Sequence, residues 1–542
     1  MYPSFRVLRW LLALIVLSTA SIAEAGVSPF WQSLGGSATG NGVSQTPAPK
    51  AVFEVSTAVG NDGRPVVVYV EYPDAVASQG AIIVKRWTGA AWQTISPAGG
   101  LGQGYAPQIR ISSTGTMTVA WLKDDASGNT EIRLRTATAT TWTALGTSDS
   151  PGGIVGVDTL ITAPFSLALD AAGTPLVAFL GFAQTGVVDV TDTPAVRDGT
   201  LQVYVKQWTG RVWGFVGTDL TGGGASNAVS FAVDPTSFVH YVDTPSIVVD
   251  STGAPVVAFT YTTLIDDEPF GNADVYAVRW NGTAWVALGP AVPAGDSPAG
   301  QGGAGGISNS VGGSFNPSLA ADTEGRLALA WEDESATGDV YVWVRVWNGV
   351  DAWNELAGSA SGSGFTGTGT ANVLPQIAVD TSGPTSRPIV AWEAWIDQQA
   401  APQIFVLRWN GADAWEEMGL DSAGGDGISA AALEAYSPAL ALTPSGPTAG
   451  VPTVAWLDAR DPGSAQVLLR QFFVGATFPL TINVSGDGSL ASTPMGVECA
   501  SGQCVTDFPA ARRSRSYPRV VRPASSAPGR VPAPAAGRAL WP

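Results

Sequence analysis

One turn recurs along this chain and limits what it can become. It is read at Trp87-Thr-Gly-Ala-Ala-Trp92, Trp208-Thr-Gly-Arg-Val-Trp213, Trp280-Asn-Gly-Thr-Ala-Trp285, Trp347-Asn-Gly-Val-Asp-Ala-Trp353 and Trp409-Asn-Gly-Ala-Asp-Ala-Trp415, and Trp142 ends a degenerate copy. Thr-Gly and Asn-Gly between apolar runs are hairpin signals, because glycine accepts the positive φ of a tight turn. Each motif therefore predicts a strand, a turn and a strand.

A second strand pair precedes each motif. Ser246-Ile-Val-Val-Asp250 leads through Ser-Thr-Gly253 to Pro255-Val-Val-Ala-Phe259, and Gln376-Ile-Ala-Val-Asp380 leads to Pro388-Ile-Val-Ala-Trp392. The aromatic closing the second strand recurs at Tyr69, Trp121, Phe179, Phe259, Trp331, Trp392 and Trp456, which makes seven copies. Four short strands repeated several times predict a β-propeller, with the Val-Val-Ala-Phe type of run buried on both faces and the outer tryptophans filling the gaps between blades. The seventh copy lacks its outer strand. Trp31-Gln-Ser-Leu-Gly35, at the other end of the chain, matches the missing element as it stands in Trp285-Val-Ala-Leu-Gly289. The expectation is an all-β, seven-bladed β-propeller over residues 26–475, with Trp31 to Gly35 beside Val467 to Phe472 closing the last blade and removing its edge. An array of β-sandwiches is the architectural rival, and it has no use for terminal complementation.

The ends read differently. Arg6 and Arg9, an apolar run from Trp10 and Ala23-Glu-Ala25 make residues 1–25 a cleaved signal peptide, so a secreted or periplasmic product is expected, with no membrane span. That compartment permits Cys499 and Cys504, the only cysteines, to pair. The net charge is −18, while residues 509–542 hold seven Arg and no acid, so the body is more acidic still and nucleic acid is excluded as a partner. The Arg/Pro/Ala-rich tail 509–542 is expected to be disordered, as the product of a frameshift or as a basic tail touching anionic surface polymer.

In a propeller, the loops from second to third strands and the links between blades share one face. Long Gly/Ser-rich links (147–163, 218–244, 290–314, 359–373) collect there, and so do acids. The candidate ligand-binding residues are Asp124, Asp125, Asp266, Asp267, Glu332, Asp333, Glu393, Asp397, Asp458 and Asp461. Three uses compete for them: a solvated rim, a binding face where carboxylates accept sugar hydroxyls beside aromatic rings, or a carboxylate pair for glycoside hydrolysis. Loop carboxylates also suit calcium, although no dedicated calcium loop is present, and no other cofactor is implied. His240 is the sole histidine and no Gly-x-Ser-x-Gly elbow accompanies it, which argues against a Ser-His-Asp enzyme. No zinc-protease motif, nucleotide loop or dinucleotide fingerprint occurs.

The patterns Pro/Ser-x-Leu-Ala-x-Asp, Gly-x-Pro-x-Val-Ala-Trp and Arg-Trp-Asn-Gly-x-x-Trp-x-x-Leu-Gly resemble bacterial secreted β-propellers of the sialidase-like and fucose-lectin-like groups. The sialidase Phe/Tyr-Arg-Ile-Pro motif is absent, and Asp170-Ala-Ala-Gly-Thr-Pro matches the Asp box of that family only loosely, so the resemblance carries over no catalytic residue. Residues 476–508 resemble the start of a small β repeat found at the ends of exported bacterial proteins, in which the equivalents of Cys499 and Cys504 are bridged; the pattern stops at Phe508. The reading is an exported, non-enzymatic, monomeric binding module, its partner an extracellular glycan or a surface protein; the alternatives are a glycan hydrolase using rim carboxylates and a purely structural scaffold.

Overall fold

The computed structural model describes residues 30–47, 50–74, 77–156, 161–182, 201–219, 224–228, 239–264, 273–289, 306–310, 312–335, 337–366, 371–395, 401–419, 422–431, 433–461, 464–473, 477–484, 490–491, 498–499 and 502–509. The expected leader, the tail, Asp266, Asp267 and Asp397 lie outside them. Residues Phe30–Phe473 form one compact unit. Its strands make seven four-stranded blades: three are separate sheets, while blades 1 and 2, and blades 5 and 6, are joined at their loop ends into two eight-stranded sheets.

Blade 1 is Ala51–Val59, Pro65–Tyr72, Gly80–Trp87 and Trp92–Thr94; blade 2 is Gln103–Ile111, Met117–Asp124, Thr130–Ala137 and Thr143–Ala144. Blade 3 is Ile161–Leu169, Pro175–Phe182, Leu201–Trp208 and Trp213–Phe215; blade 4 is Val239–Val249, Pro255–Leu264, Ala273–Trp280 and Trp285–Ala287. Blade 5 is Ser314–Ala321, Leu327–Glu334, Val340–Trp347 and Trp353–Glu355; blade 6 is Ala371–Asp380, Arg387–Trp395, Gln403–Trp409 and Trp415–Glu417. Blade 7 is Glu434–Leu442, Pro452–Asp461 and Ser464–Phe473, completed by Phe30–Ser33. Trp31 stands opposite Phe472 and Ser33 opposite Arg470, so the N-terminal strand does close the last blade. The first strand of each blade contacts that of the next, and blade 7 returns to blade 1. The blades form a closed seven-membered ring.

The repeated residues explain the ring. Each recurring aromatic of the second strand is 0–2% exposed, wedged where neighbouring blades meet. Farther out, the two rings of each Trp pair lie 5.7–5.9 Å apart. The second indole of the pair donates to a carbonyl of the preceding blade: Trp92 to Leu34, Trp142 to Ile95, Trp213 to Leu145, Trp285 to Val216, Trp353 to Leu288 and Trp415 to Leu356. The tryptophans thus seal the gap twice, by burying ring surface and by satisfying a loop carbonyl. On the opposite face, Asp170, Asp250, Asp322 and Asp380 end their first strands and accept backbone N–H groups of the following turn, which accounts for the recurring Leu-Ala-x-Asp pattern.

The links between blades are more than plain loops. Each returns a Gly-x-Ser or related tripeptide to the third strand of the blade just completed. At Gly306-Ile-Ser308, Ile307 N–H donates to Val275 O, while Ser308 Oγ accepts from Val275 N–H and donates to Asp274. Gly42-Val-Ser44, Gly224-Ala-Ser226 and Gly427-Ile-Ser429 form the same clip on Val467, Val203 and Ile404. Glycine is required because a Cβ at Gly306 would lie 2.4 Å from the Val275 carbonyl oxygen, at φ +62°. Gly306→Ala is therefore expected to cost about 3 kcal/mol in urea unfolding. Gly128→Ala, at φ +83° with nothing within 4 Å, is expected to cost only about 1. Equal losses would remove the clip from the explanation.

A second unit contains residues from Val474 onward. In it Thr477–Val484 pairs antiparallel with Gly502–Pro509, and Leu490–Ala491 with Glu498–Cys499. Backbone register sets Cys504 opposite Ile482 and Cys499 opposite Leu490; the cysteine side chains lie outside the described residues.

Candidate functional site

Every first strand breaks register close to its start, at the loop-bearing end. The breaks fall at Phe53/Val55, Tyr105/Gln108, Thr162/Phe165, Asp243/Ser246, Phe315/Ser318, Val373/Gln376 and Tyr436/Ala439. In six blades a non-glycine residue there has positive φ: Glu54, Ala106, Thr244, Asn316, Leu374 and Ser437, at 45–56°. Five of them precede proline, which cannot donate to a ladder and so settles at bulges. Left-handed non-glycine residues cost of order 1 kcal/mol or more each, and such strain gathers where a surface is put to use.

Three carboxyl groups, Glu332 and Glu393 buried and Glu54 half-buried, hold these bulges from the blade before. Glu54 Oε2 accepts from Ala106 N–H at 2.7 Å, Glu332 Oε1 from Leu374 N–H at 2.6 Å, and Glu393 Oε2 from Ser437 N–H at 2.9 Å. Glu332 also accepts from the Asn316 side chain at 2.9 Å. Burial raises the proton affinity of all three above the usual carboxylate value. Glu393 is pushed up to about 7, chiefly by burial and further by Glu332 and Glu434, against the opposing Ser437 N–H.

Glu393 also lines a cleft of about 330 Å³ between blades 6 and 7. Leu374 and Trp395 of blade 6 and Glu434, Tyr436 and Ser437 of blade 7 complete most of its wall. Glu434 is exposed and Trp395 half-buried. Burial, with Glu434, Glu393 and Asp458 nearby, raises the Tyr436 phenol. Across blades 1 and 2 a smaller polar network joins Tyr72 to Glu54 at 3.5 Å and Tyr105 to Asp124 at 2.9 Å, with Thr130 donating to the same Asp124 oxygen at 3.1 Å. On the opposite face a cavity of about 250 Å³ contains Asp62, already paired with Arg86 at 2.8 Å.

The acids singled out by sequence divide by environment. Glu332 and Glu393 face the blade 5–7 side of the ring as described. Asp333, the next residue along its strand, points to the other side and accepts from Trp331 Nε1 at 3.0 Å and Ser314 Oγ at 2.9 Å, a packing role. Asp124 belongs to the tyrosine network. Asp125 caps its own exposed turn through Ser127 and Asn129 N–H groups, and these hydrogen bonds hold its carboxyl below the usual range. Asp458 is buried opposite Ala435 and Gln466. The Asp461 backbone ends a strand, with its side chain outside the described residues. Glu434, Tyr436 and Trp395 were not among the sequence candidates. Among the described residues no group of three or more His, Cys, Asp or Glu is gathered as a metal set, and no helix is long and apolar enough to cross a membrane.

No protein-family model matches the chain, and no curated protein matches it. Among solved structures it is similar to a Hadza microbial sialidase, 12% identical over 75% of each chain with a TM-score of 0.39. It is also similar to the GH93 α-L-arabinofuranosidase of Fusarium graminearum, 11% identical over 80% of this chain and 96% of that one, TM-score 0.39. The α-L-arabinanase of Penicillium chrysogenum is 14% identical over 67% of this chain and 92% of that one, TM-score 0.36. Each likeness is one of architecture.

Proposed function

We propose that the protein is a glycan-binding module, carried outside the cell by the leader expected at 1–25, and that its ligand seats in the cleft between blades 6 and 7. One observation carries this reading. Glu393 is only 5% exposed, one of its oxygens is taken by Ser437 N–H, and the other has no hydrogen-bond partner among the described residues while the side chain lines the cleft. A carboxyl oxygen at the wall of a cleft, with no hydrogen bond from the described residues, is placed to accept from a ligand hydroxyl. Trp395 and Tyr436 offer rings to the apolar face of a sugar, and Glu434 and Glu393 offer oxygens to its hydroxyls.

A glycan array probed with the intact protein tests the reading. At least one glycan is expected to bind, and Trp395→Ala is expected to weaken that binding by about tenfold with an unchanged unfolding midpoint. Binding unaffected by Trp395→Ala and by Glu393→Gln together would move the site elsewhere. The hydrolase reading has one observation in its favour: a carboxyl group kept partly protonated near neutrality beside two further carboxyl groups resembles a general acid. Release of reducing sugar from a bound array member, lost in Glu393→Gln, would decide for it.

A further inference from the structure

We infer that the sugar seated in this cleft carries a protonated amine, as a free hexosamine unit does. The inference rests on the glycan reading above and adds the charge of the ligand. Glu393 and Glu434 enter the cleft from adjacent blades, and among the described residues no Lys, Arg or His lines it. Glu332 stands behind Glu393, and Asp458 adds its field at Tyr436. The titratable groups that face the cleft are thus carboxyl groups and a phenol, with no lining cation among the described residues. An ammonium group placed between Glu393 and Glu434 meets both carboxyl groups and lies within reach of aromatic faces, the arrangement that favours cations over neutral ligands. A uronic acid would set another carboxylate among these and pay desolvation with no partner. Charge on the ligand also acts on Glu393. On binding, the Glu393 carboxyl gives up its proton to the buffer base, its O–H bond being replaced by a bond from hydrogen to that base, and the carboxylate accepts from the ammonium group through the oxygen that Ser437 leaves unused; no other covalent bond changes.

The test is calorimetric titration of the intact protein at mildly acidic pH with the tetramers of glucosamine, N-acetylglucosamine and galacturonic acid. The amine tetramer is expected to bind on the order of tenfold more tightly than its acetylated counterpart, the size of one charged hydrogen bond, and the galacturonate not at all. Its binding heat should change with the ionisation heat of the buffer, showing proton release, and Glu393→Gln should abolish that change. Glu434→Gln, at an exposed position that does not endanger folding, should bring the amine and acetylated tetramers to near-equal affinity. Equal affinity in the unaltered protein, or preference for galacturonate, overturns the amine and leaves the glycan reading standing. Spermidine competing as well as the amine tetramer overturns it too, since charge alone would then suffice. Silence toward all three tetramers overturns it, and only silence across the glycan array as well removes the glycan reading with it.

Discussion

Removing residues 30–46 will abolish the cooperative unfolding transition of the ring. That segment serves two blades at once. Phe30–Ser33 supplies the outer strand of blade 7, Leu469 N–H donates to Ser37 O at 3.0 Å, and Val43 N–H donates to Val467 O at 2.7 Å. Toward blade 1, Lys85 donates to the carbonyls of Val43 and Ser44 at 2.9 and 2.8 Å, and Trp92 donates to Leu34 O at 2.9 Å. Leu34 and Val43 are buried. Loss of two buried aliphatic side chains, a strand ladder and these bridges amounts to roughly 5–10 kcal/mol, comparable to the whole stability of an ordinary domain. Urea unfolding followed by tryptophan fluorescence should lose its sigmoid, and a synthetic peptide of residues 30–46 should restore it. A truncated chain that unfolds at the original midpoint would show that the ring is held closed by other means.

The second large effect is one of pH. Glu393 is raised from 4.5 to about 7 in the folded chain. An acid held above its unfolded value contributes stability that is complete below about pH 4.5 and is lost as pH climbs through about 7. The protein should therefore be less stable at pH 8 than at pH 5, with Glu393 contributing on the order of 3 kcal/mol to the difference. Glu54 and Glu332, raised for the same reason, act in the same direction. Glu393→Gln keeps an oxygen for Ser437 N–H and cannot ionise, so its unfolding midpoint should exceed that of the unaltered protein at pH 8 and approach it at pH 5. Parallel pH profiles for the two proteins would mean that the buried carboxyl is not charged at a cost.

The ring was legible because the residues that build it repeat. Trp331 and Trp456 recur at one strand position, Trp353 and Trp415 at another, and Trp31 could be matched to the vacancy left after Phe472 by pattern alone. The clips were hidden, because Gly306 and its equivalents sit in Gly/Ser-rich links whose composition also suits an unattached loop. The cleft was half visible. Glu393 stands directly after a repeated aromatic, but Glu434, Tyr436 and Trp395 fall outside the acid-rich loop starts on which the sequence reading drew. Glu434 and Tyr436 come from a first strand, directly before its register break at the left-handed Ser437. The trace of that geometry is the recurring residue-plus-proline step at Ala106-Pro, Thr244-Pro, Asn316-Pro, Leu374-Pro and Ser437-Pro, which a search for hydrophobic runs passes over. The contrast between Glu332 and Asp333 was available from strand alternation, whereas the role of Asp125 as a turn cap needed coordinates.

Behind the bulges, the residue two places on ties blade to blade. Ser56 accepts from Ile109 N–H, Gln108 from Leu167, Ser166 from Ile247, Ser246 from Leu319 and Ser318 from Ile377. Among the described residues the series runs from blade 1 to blade 6 and lapses at two junctions, blade 6 to 7, where the Gln376 amide turns back to Pro375 O, and blade 7 to 1, where the position is Ala439. The N-terminal segment bridges the second of these, and at the first the Glu393–Ser437 hydrogen bond stands beside the cleft. A sugar spanning Glu393 and Tyr436 would add a second tie at that junction, so occupancy should stiffen the circle as a whole, and the molecule would register its ligand as a change in how easily it breathes.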